Sequence, residues 1–397
     1  MRLLLVDGWG RFIVPRARGR HGRRLKGAVR GTDAPPVTPS ILLEPYLRAL
    51  VELLGSDLHC KVGSPPRVRI DGSLRKLQAP VLTPDDTERM LAELLRPDLA
   101  EQFVRTNEVD FAYSLPGVGR FRVNAFRSRG TVGIVMRRVA LGAIALEDLG
   151  LPPAVGQLAL EPRGLVLVTG PTGSGKTTTL AAMIDRINNM REVHVVTIED
   201  PIEVLHEDKL AMINQREVGL DTAGFSGALR AAMRQDPDVI LVGEMRDEET
   251  VRAALSAAET GHFVMSTLHT TDAQETVNRI VDFFPPHEQQ QVRVALAGAL
   301  RGIVAQRLVR RADGLGRCCV AEVCVATGRI AEAIVDPTKT NMITELVGQG
   351  GYYGMQTFDQ HLVALVRDGI VTVDDAAAVA SKPHDLSVEL RRLGLVA

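Results

Sequence analysis

One short run constrains this chain more than any other. From Leu165 to Asn188 it reads LVLVTGPTGSGKTTTLAAMIDRIN, and Gly170 to Thr177 meets every fixed position of GxxxxGK[ST]. An apolar β-run precedes the loop and a helical period follows it, which is the context this pattern needs. Glycines at 170, 173 and 175 let the backbone wrap closely around an anion with its N–H groups turned inward. A helix starting near Lys176 adds the positive end of its dipole. The whole run Gly170, Pro171, Thr172, Gly173, Ser174, Gly175, Lys176, Thr177 and Thr178 is therefore expected to cradle nucleotide phosphates. Lys176 reaches the β- and γ-phosphates, and the Thr177 hydroxyl ligates Mg²⁺.

Three further segments place chemistry at strand ends, where open α/β sheets bind ligands. Asp238-Val-Ile-Leu-Val-Gly-Glu244 is a buried strand delivering Glu244. Gly243 stands where an Asp usually precedes that acid, so Glu244 either orients the metal shell or acts as general base on water. Thr197 to Glu203 (TIEDPIE) puts Glu199, Asp200 and Glu203 at the end of another strand, able to supply metal ligation. His262 to Leu268 is a further strand, followed by His269; Thr267 and His269 fall near the γ-phosphate end if that strand is central.

The rest of the chain divides around this core. Residues 1–37 form a basic head expected to be disordered; its first 36 residues hold nine Arg or Lys and two acids. It reads either as an arm for an anionic surface or nucleic acid, or as a tail or misplaced start. Residues 38–140 alternate short strands and helices, an α+β domain whose first helix has Ser40 as its expected N-cap. Residues 141–164 are an expected connector. From 165 to 397 apolar strands alternate with helices, a doubly wound α/β pattern closing in a helical region from about 326. The formal net charge of -1 and 4% aromatic content argue against a nucleic-acid coat or a base-stacking surface. No stretch reaches about 18 apolar residues, so no membrane span is expected. Cys318, Cys319 and Cys324 lack the paired spacing of a zinc site and read as strand thiols, as does Cys60.

Taken in order, these pieces resemble the secretion-ATPase superfamily, and within it the PilT-type twitching-motility ATPases of type IV pili. GPTGSGKTTTLAAMID resembles their Walker A, VVTIEDPIE with INQREVG the Asp box, LRAAMRQDPDVILVGEMRD the Walker B and AAETGHFVMSTLHTTDA the His box. IVDFFPPHEQ, GIVAQRL, GMQTFDQ, SDLHCKVGSPPRVRIDG and GRFRVNAFRSRG match as well, so only the basic head falls outside the likeness. The resemblance implies a RecA-like P-loop NTPase domain, an N-terminal PAS-like α+β domain and a C-terminal helical region. It implies Mg²⁺-dependent ATP hydrolysis by a homo-hexamer acting on an inner-membrane pilus platform protein, from the cytoplasmic face of the membrane, with no nucleic acid and no zinc. Carried over by residue, Lys176, Glu203, Glu244 and His269 are catalytic, with Arg230 and Arg246 as clamps flanking Walker B. Glu199, His262, Arg122 and Arg137 contact the nucleotide, and Thr177, Glu199 and Glu244 share the metal. The connector is where a hinge between the domains should lie. The retraction-type signature falls at 329–336, where this chain reads RIAEAIVD; it keeps Ile330, Ile334 and the acid Asp336 but has Ala331, Glu332 and Val335 at the family's Arg and Asn positions.

Deleting residues 1–36 is expected to leave ATP hydrolysis nearly unchanged. A collapse of turnover or of assembly in the truncated protein would make the head a working part.

Overall fold

A computed structural model of the chain describes residues 42–396; the basic head, the expected cap Ser40 and Ile41 lie outside them. The described residues fall into two compact units that divide after Val139. In the first, helix α1 (Glu44–Glu52) begins beyond Leu43, with a proline in its first turn where a missing N–H costs nothing. Strands β1 (Asp57–Lys61), β2 (Arg67–Ile70) and β3 (Ser73–Lys76) follow, then helices α2 (Pro84–Leu94) and α3 (Pro97–Thr106), then β4 (Glu108–Leu115), β5 (Gly119–Ser128) and β6 (Thr131–Arg138). The six strands form one antiparallel sheet in the order β3-β2-β1-β6-β5-β4. β3, absent from the sequence reading, is a short charged edge with little apolar signal. Thr83 and Asp86 close a reciprocal capping box at the start of α2. Leu47, Leu50, Leu58, Met90, Phe121, Ile134 and Met136 form the core. Alternation on β5 sends Phe121, Val123 and Ala125 inward and leaves Arg122 exposed, directly opposite Arg137 on β6.

The second unit opens with the segment expected as a bare connector. It carries strand β7 (Ala140–Leu141), a 3-10 turn at Leu146–Leu149 and helix α4 (Pro153–Leu158). Leu146, Val155 and Leu158 are buried against Val166, Val168 and Ile184, so most of this stretch is part of the second unit's core. Then come β8 (Gly164–Thr169), α5 (Lys176–Met190), β9 (His194–Glu199), β10 (Val204–Leu205), β11 (Met212–Glu217), α6 (Phe225–Ala232), β12 (Val239–Val242), α7 (Glu248–Glu259), β13 (Phe263–Leu268), α8 (Ala273–Asp282), α9 (Gln289–Ala299), β14 (Leu300–Arg310) and β15 (Arg317–Val325). Helices α10 (Gly328–Val335), α11 (Ile343–Gln349), α12 (Phe358–Arg367), α13 (Val373–Val379) and α14 (Pro383–Arg392) complete it.

Seven strands lie in the order β11-β9-β12-β13-β8-β14-β15, all parallel except β15, which runs antiparallel to β14. β8, β12 and β13 are buried at every position, which is why they read as unbroken apolar runs. Successive residues serve opposite faces: Leu165 and Leu167 pack with Leu229, Val251, Val277, Leu296 and Ile330, whereas Val166 and Val168 pack with Leu180, Met183 and Val155. The RIAEAIVD segment lies in α10, with Ile330, Ala333 and Ile334 buried and Glu332 exposed beside Lys339. A satellite cluster joins α12 and α14 to β14 and β15 through Phe358, Leu362, Leu386, Leu390, Val309 and Val320. The four thiols are free; Cys318 and Cys319 are consecutive on β15 and so face opposite sides.

One buried acid ties β15 to α8. Glu322 accepts the N–H of Ala273 at 2.8 Å, at a helix N-terminus that favours negative charge. Burial dominates all the same, aided by Asp272 and Asp359 and opposed by that bond and Arg307, and pushes the Glu322 carboxyl up to about 7. A carboxyl that binds its proton more tightly folded than unfolded costs stability as pH rises from its ordinary value through the raised one. On this basis the wild type loses on the order of 3 kcal/mol across that window. Glu322→Gln, which keeps an acceptor for Ala273, is expected to melt close to wild type at pH 5 and higher than wild type at pH 8. Equal melting shifts at both pH values would show that Glu322 does not titrate in this window.

Candidate active site

The chain turns from β8 into α5 through Gly170 to Gly175, one strand from the central β13 of the seven-stranded sheet. Gly170 has φ +137°, and a Cβ there would stand 2.4 Å from the Gln306 carbonyl oxygen and 2.6 Å from Ser174 Oγ. Gly173 (φ +78°) and Gly175 (φ +96°) lie in the left-handed region that glycine enters without penalty. Gly175 caps α5 and no side chain does, so the first-turn N–H groups are left to the loop. Ser174 Oγ and Thr169 Oγ1 are buried without hydrogen-bond partners at the base of this cradle. Lys176 Nζ folds over the loop and donates to the carbonyls of Gly170 (2.7 Å) and Pro171 (3.1 Å). Burial lowers its pKa from the usual lysine value, and the Glu244 charge pulls the other way.

The facing wall comes from the neighbouring strands. Glu244 follows β12; its Oε2 lies 3.4 Å from His269 Nε2 beyond β13, and its Oε1 is paired with Arg246. The Thr267 hydroxyl donates to the Gly243 carbonyl at 2.7 Å and locks the two strand ends together. Glu199 ends β9 and is buried, accepting from Thr197 Oγ1 (2.6 Å) and Gln215 Nε2 (3.1 Å). Burial raises its pKa above the ordinary carboxylate value, the hydrogen bonds oppose this, and the nearby Glu203 charge adds to it. Glu199, Glu203, Glu244 and His269 line one cleft of about 580 Å³ with Thr172, Gly173, Lys176, Thr177 and Thr178. Among the described residues no three His, Cys, Asp or Glu side chains converge as a metal cage. One or two carboxylates with a hydroxyl are instead the hard oxygen donors that suit Mg²⁺ bound together with phosphates and water.

Several residues expected at the site lie elsewhere in this chain. His262 is a correction: its carbonyl accepts the N–H of Gly164, the first residue of β8, whereas the loop leaves β8 after Thr169. It stands a full strand away, about 20 Å at 3.3 Å per residue, with Nδ1 3.0 Å from the Ala257 carbonyl oxygen. Its place just ahead of β13 agrees with the strand read from the sequence, and it was the resemblance that assigned it to the nucleotide. Arg230 is a second correction: on α6 its guanidinium pairs with Glu249 at 2.5 Å, and it does not line the cleft. Arg246 reaches the site only through Glu244. Arg122 and Arg137 belong to the first unit, side by side across β5 and β6, with Arg137 Nε 2.8 Å from Asp57 Oδ1. Two polar residues without an individual role in the sequence reading join the site, Gln215 from within the INQREVG segment matched to the Asp box and Arg317 from outside every motif. Arg317, the first residue of β15, lines the cleft, and Gln215 holds Glu199. The β14–β15 hairpin brings Arg317 there with no local pattern to announce it, and the edge pairing of β11 gives the INQREVG segment its place beside Glu199.

The family model described as type II/IV secretion system protein matches residues 67–378. The chain is 44% identical to the type IV pilus retraction ATPase PilT of Pseudomonas aeruginosa over 83% of this chain and 95% of that protein. It is 43% identical to a twitching motility protein of Neisseria gonorrhoeae over 81% of this chain and 86% of that one. Among solved structures, the pilus retraction motor PilT with bound ADP superposes with a TM-score of 0.79 at 43% identity, covering 88% of this chain and 99% of that one.

The loop glycines differ in what they tolerate. Gly170→Ala must displace the β14 backbone and is expected to weaken nucleotide binding at least ~10-fold and to lower the melting temperature. Gly173→Ala meets nothing within 4 Å and should cost only the ~1–2 kcal/mol of left-handed strain. Calorimetric titration with ADP and thermal melts of both variants check this; equal effects would mean the close approach at Gly170 is not what shapes the loop.

Proposed function

The chain belongs to the type II/IV secretion system protein family, and from that premise we propose that it is a Mg²⁺-dependent ATPase working as a ring of six to power type IV pilus retraction. The observation that carries the reading is Glu244 set across one cleft from Lys176, behind a complete phosphate-binding loop. The relatives named above, which include a retraction ATPase and an ADP-bound retraction motor, support the choice of nucleotide and of task.

In this reading the loop N–H groups bind the phosphates, and Lys176 leaves the Gly170 and Pro171 carbonyls to neutralise them. Thr177 and Glu199 are the oxygen donors that would hold Mg²⁺, with Glu203 beside them and Glu244 left to the water. Bound there, Mg²⁺ would supply positive charge against the phosphates. Glu244 takes the proton of the attacking water, and His269 and Arg246 fix the orientation of its carboxylate. Arg317 adds a cation at the cleft wall. Arg122 and Arg137, an exposed pair on the first unit's sheet, are suited to clamp the phosphates of a neighbouring subunit in the ring. Among the described residues no helix is long and apolar enough to cross a membrane; the motor would work peripherally at the cytoplasmic face of the inner membrane, on a pilus platform protein.

Steady-state ATP hydrolysis followed against protein concentration tests this. Turnover should require Mg²⁺, rise as subunits assemble and ignore added polynucleotide. Lys176→Ala should fall to background. Glu244→Gln should bind ATP while losing ~10²–10³-fold in kcat, the scale of removing one preorganised transition-state contact. Turnover that needs polynucleotide would replace the pilus motor with a translocase, and ATP bound without turnover would leave a scaffold.

A further inference from the structure

β11 is the outer strand of the large sheet, and its alternate residues Gln215 and Glu217 turn toward the same loop. Glu217 Oε2 accepts the N–H of Ile202 at 3.1 Å. Gln215 holds three groups at once. Its Nε2 donates to Glu199 Oε1 (3.1 Å) and to the Val204 carbonyl (2.9 Å), and its Oε1 accepts the His206 N–H (2.9 Å). The orientation of this amide is fixed, because turning it over would set its N–H₂ against an N–H and its oxygen against a carboxylate and a carbonyl. Gln215 thus joins the cleft carboxylate to both ends of β10.

β10 has a second partner. It pairs in parallel with β7, Val204 opposite Ala140 and Leu205 opposite Leu141, and the Gly142 N–H donates to the Leu205 carbonyl at 2.8 Å. β7 is where the chain enters the second unit, directly after Val139. This ladder is two residues long and Leu141 is 60% exposed. So short and solvated a pairing is marginal by itself and answers to the placement of its neighbours.

We propose that Gln215 is a positioning residue that couples the cleft to the entry segment Ala140–Gly142: it holds Glu199 for Mg²⁺-nucleotide and passes any movement of that carboxylate to β10, and through the β10–β7 ladder to the chain arriving from the first unit. The inference rests on the ATPase reading above and adds the route by which occupancy of the cleft is felt at the junction.

Hydrogen exchange of the full chain, read on peptides covering residues 140–142, tests it with and without Mg²⁺ and a slowly hydrolysed ATP analogue. Wild type should show a nucleotide-dependent change in exchange there. Gln215→Leu should still bind the analogue, lose that change, and show kcat lower by ~10–100-fold, the scale found when a group that orients a metal ligand is removed, with KM nearly unaltered. Gln215→Glu keeps the size and the acceptor for His206 but has no donor for Glu199 or Val204, so it gives the same test if the leucine variant does not fold. A nucleotide-dependent change that survives in either variant overturns the proposal, as does a wild type that hydrolyses ATP with no change at 140–142. A wild type that neither binds nor hydrolyses ATP takes the ATPase reading down with it.

Discussion

The close passage of Gly170 beneath the Gln306 carbonyl is the constraint on which the rest of the site depends. β8 lies between β13 and β14 in a parallel sheet, so the chain leaving it must turn at once to reach α5 without striking β14. There is no room for a Cβ at the turn. Gln306 also holds the other side, since its Nε2 donates to Thr179 Oγ1 inside α5 at 2.8 Å. One residue of β14 therefore sets both the path of the loop and the seat of the helix whose N-terminus faces the phosphates. The glycines are needed because the neighbouring backbone leaves no alternative, and the burial of β8 on both faces keeps that backbone in place.

The charges follow from the strand order. β9, β12, β13 and β8 are consecutive in space, so residues at their carboxyl ends meet although they are scattered along the chain. Glu199, Glu244, His269 and Lys176 come together this way. The two acids are compensated differently. Glu244 has Arg246 and His269 beside it, both able to carry positive charge. Glu199 is held by a hydroxyl and an amide, which are neutral, and burial raises its pKa. A buried carboxylate solvated only by neutral donors lacks a counter-charge, and a cation in the cleft would supply one.

On the first unit the same balance appears on an exposed face. Arg122 and Arg137 stand directly opposite across two strands, an arrangement that is unfavourable for like charges. Asp57 offsets it: burial would push its carboxyl up, but bonds from Arg137 and Ser56 outweigh this and hold it below the usual aspartate value. Arg69 lies 3.6 Å from the same carboxylate. The result is a cationic ridge anchored by one acid, presented on a stable antiparallel sheet.

Much of the second unit could be read from the residues alone. β8, β12 and β13 are buried on both faces, and unbroken apolar runs report that condition directly; the helices between them showed their 3.6-residue period, and the phosphate loop needed only its own spacing. The acids were legible because strand carboxyl ends in such sheets face the ligand crevice. What periodicity reports is burial, and burial does not say which strands pair, in which direction or at which end a residue sits. β11 is a polar edge strand, and β14, an inner strand, has Arg301, Gln306, Arg307 and Arg310 interrupting its apolar run; both escaped notice as strands. The depth of the segment after Val139, the pairing of Arg230 with Glu249, and the arrival of Arg317 and Gln215 at the cleft all come from contacts between residues distant in sequence. The local sequence determined that this chain holds phosphate in a βα turn, because that turn is built from adjacent residues. Which side chains surround the phosphate was decided only when the sheet closed, because each arrives on a different strand.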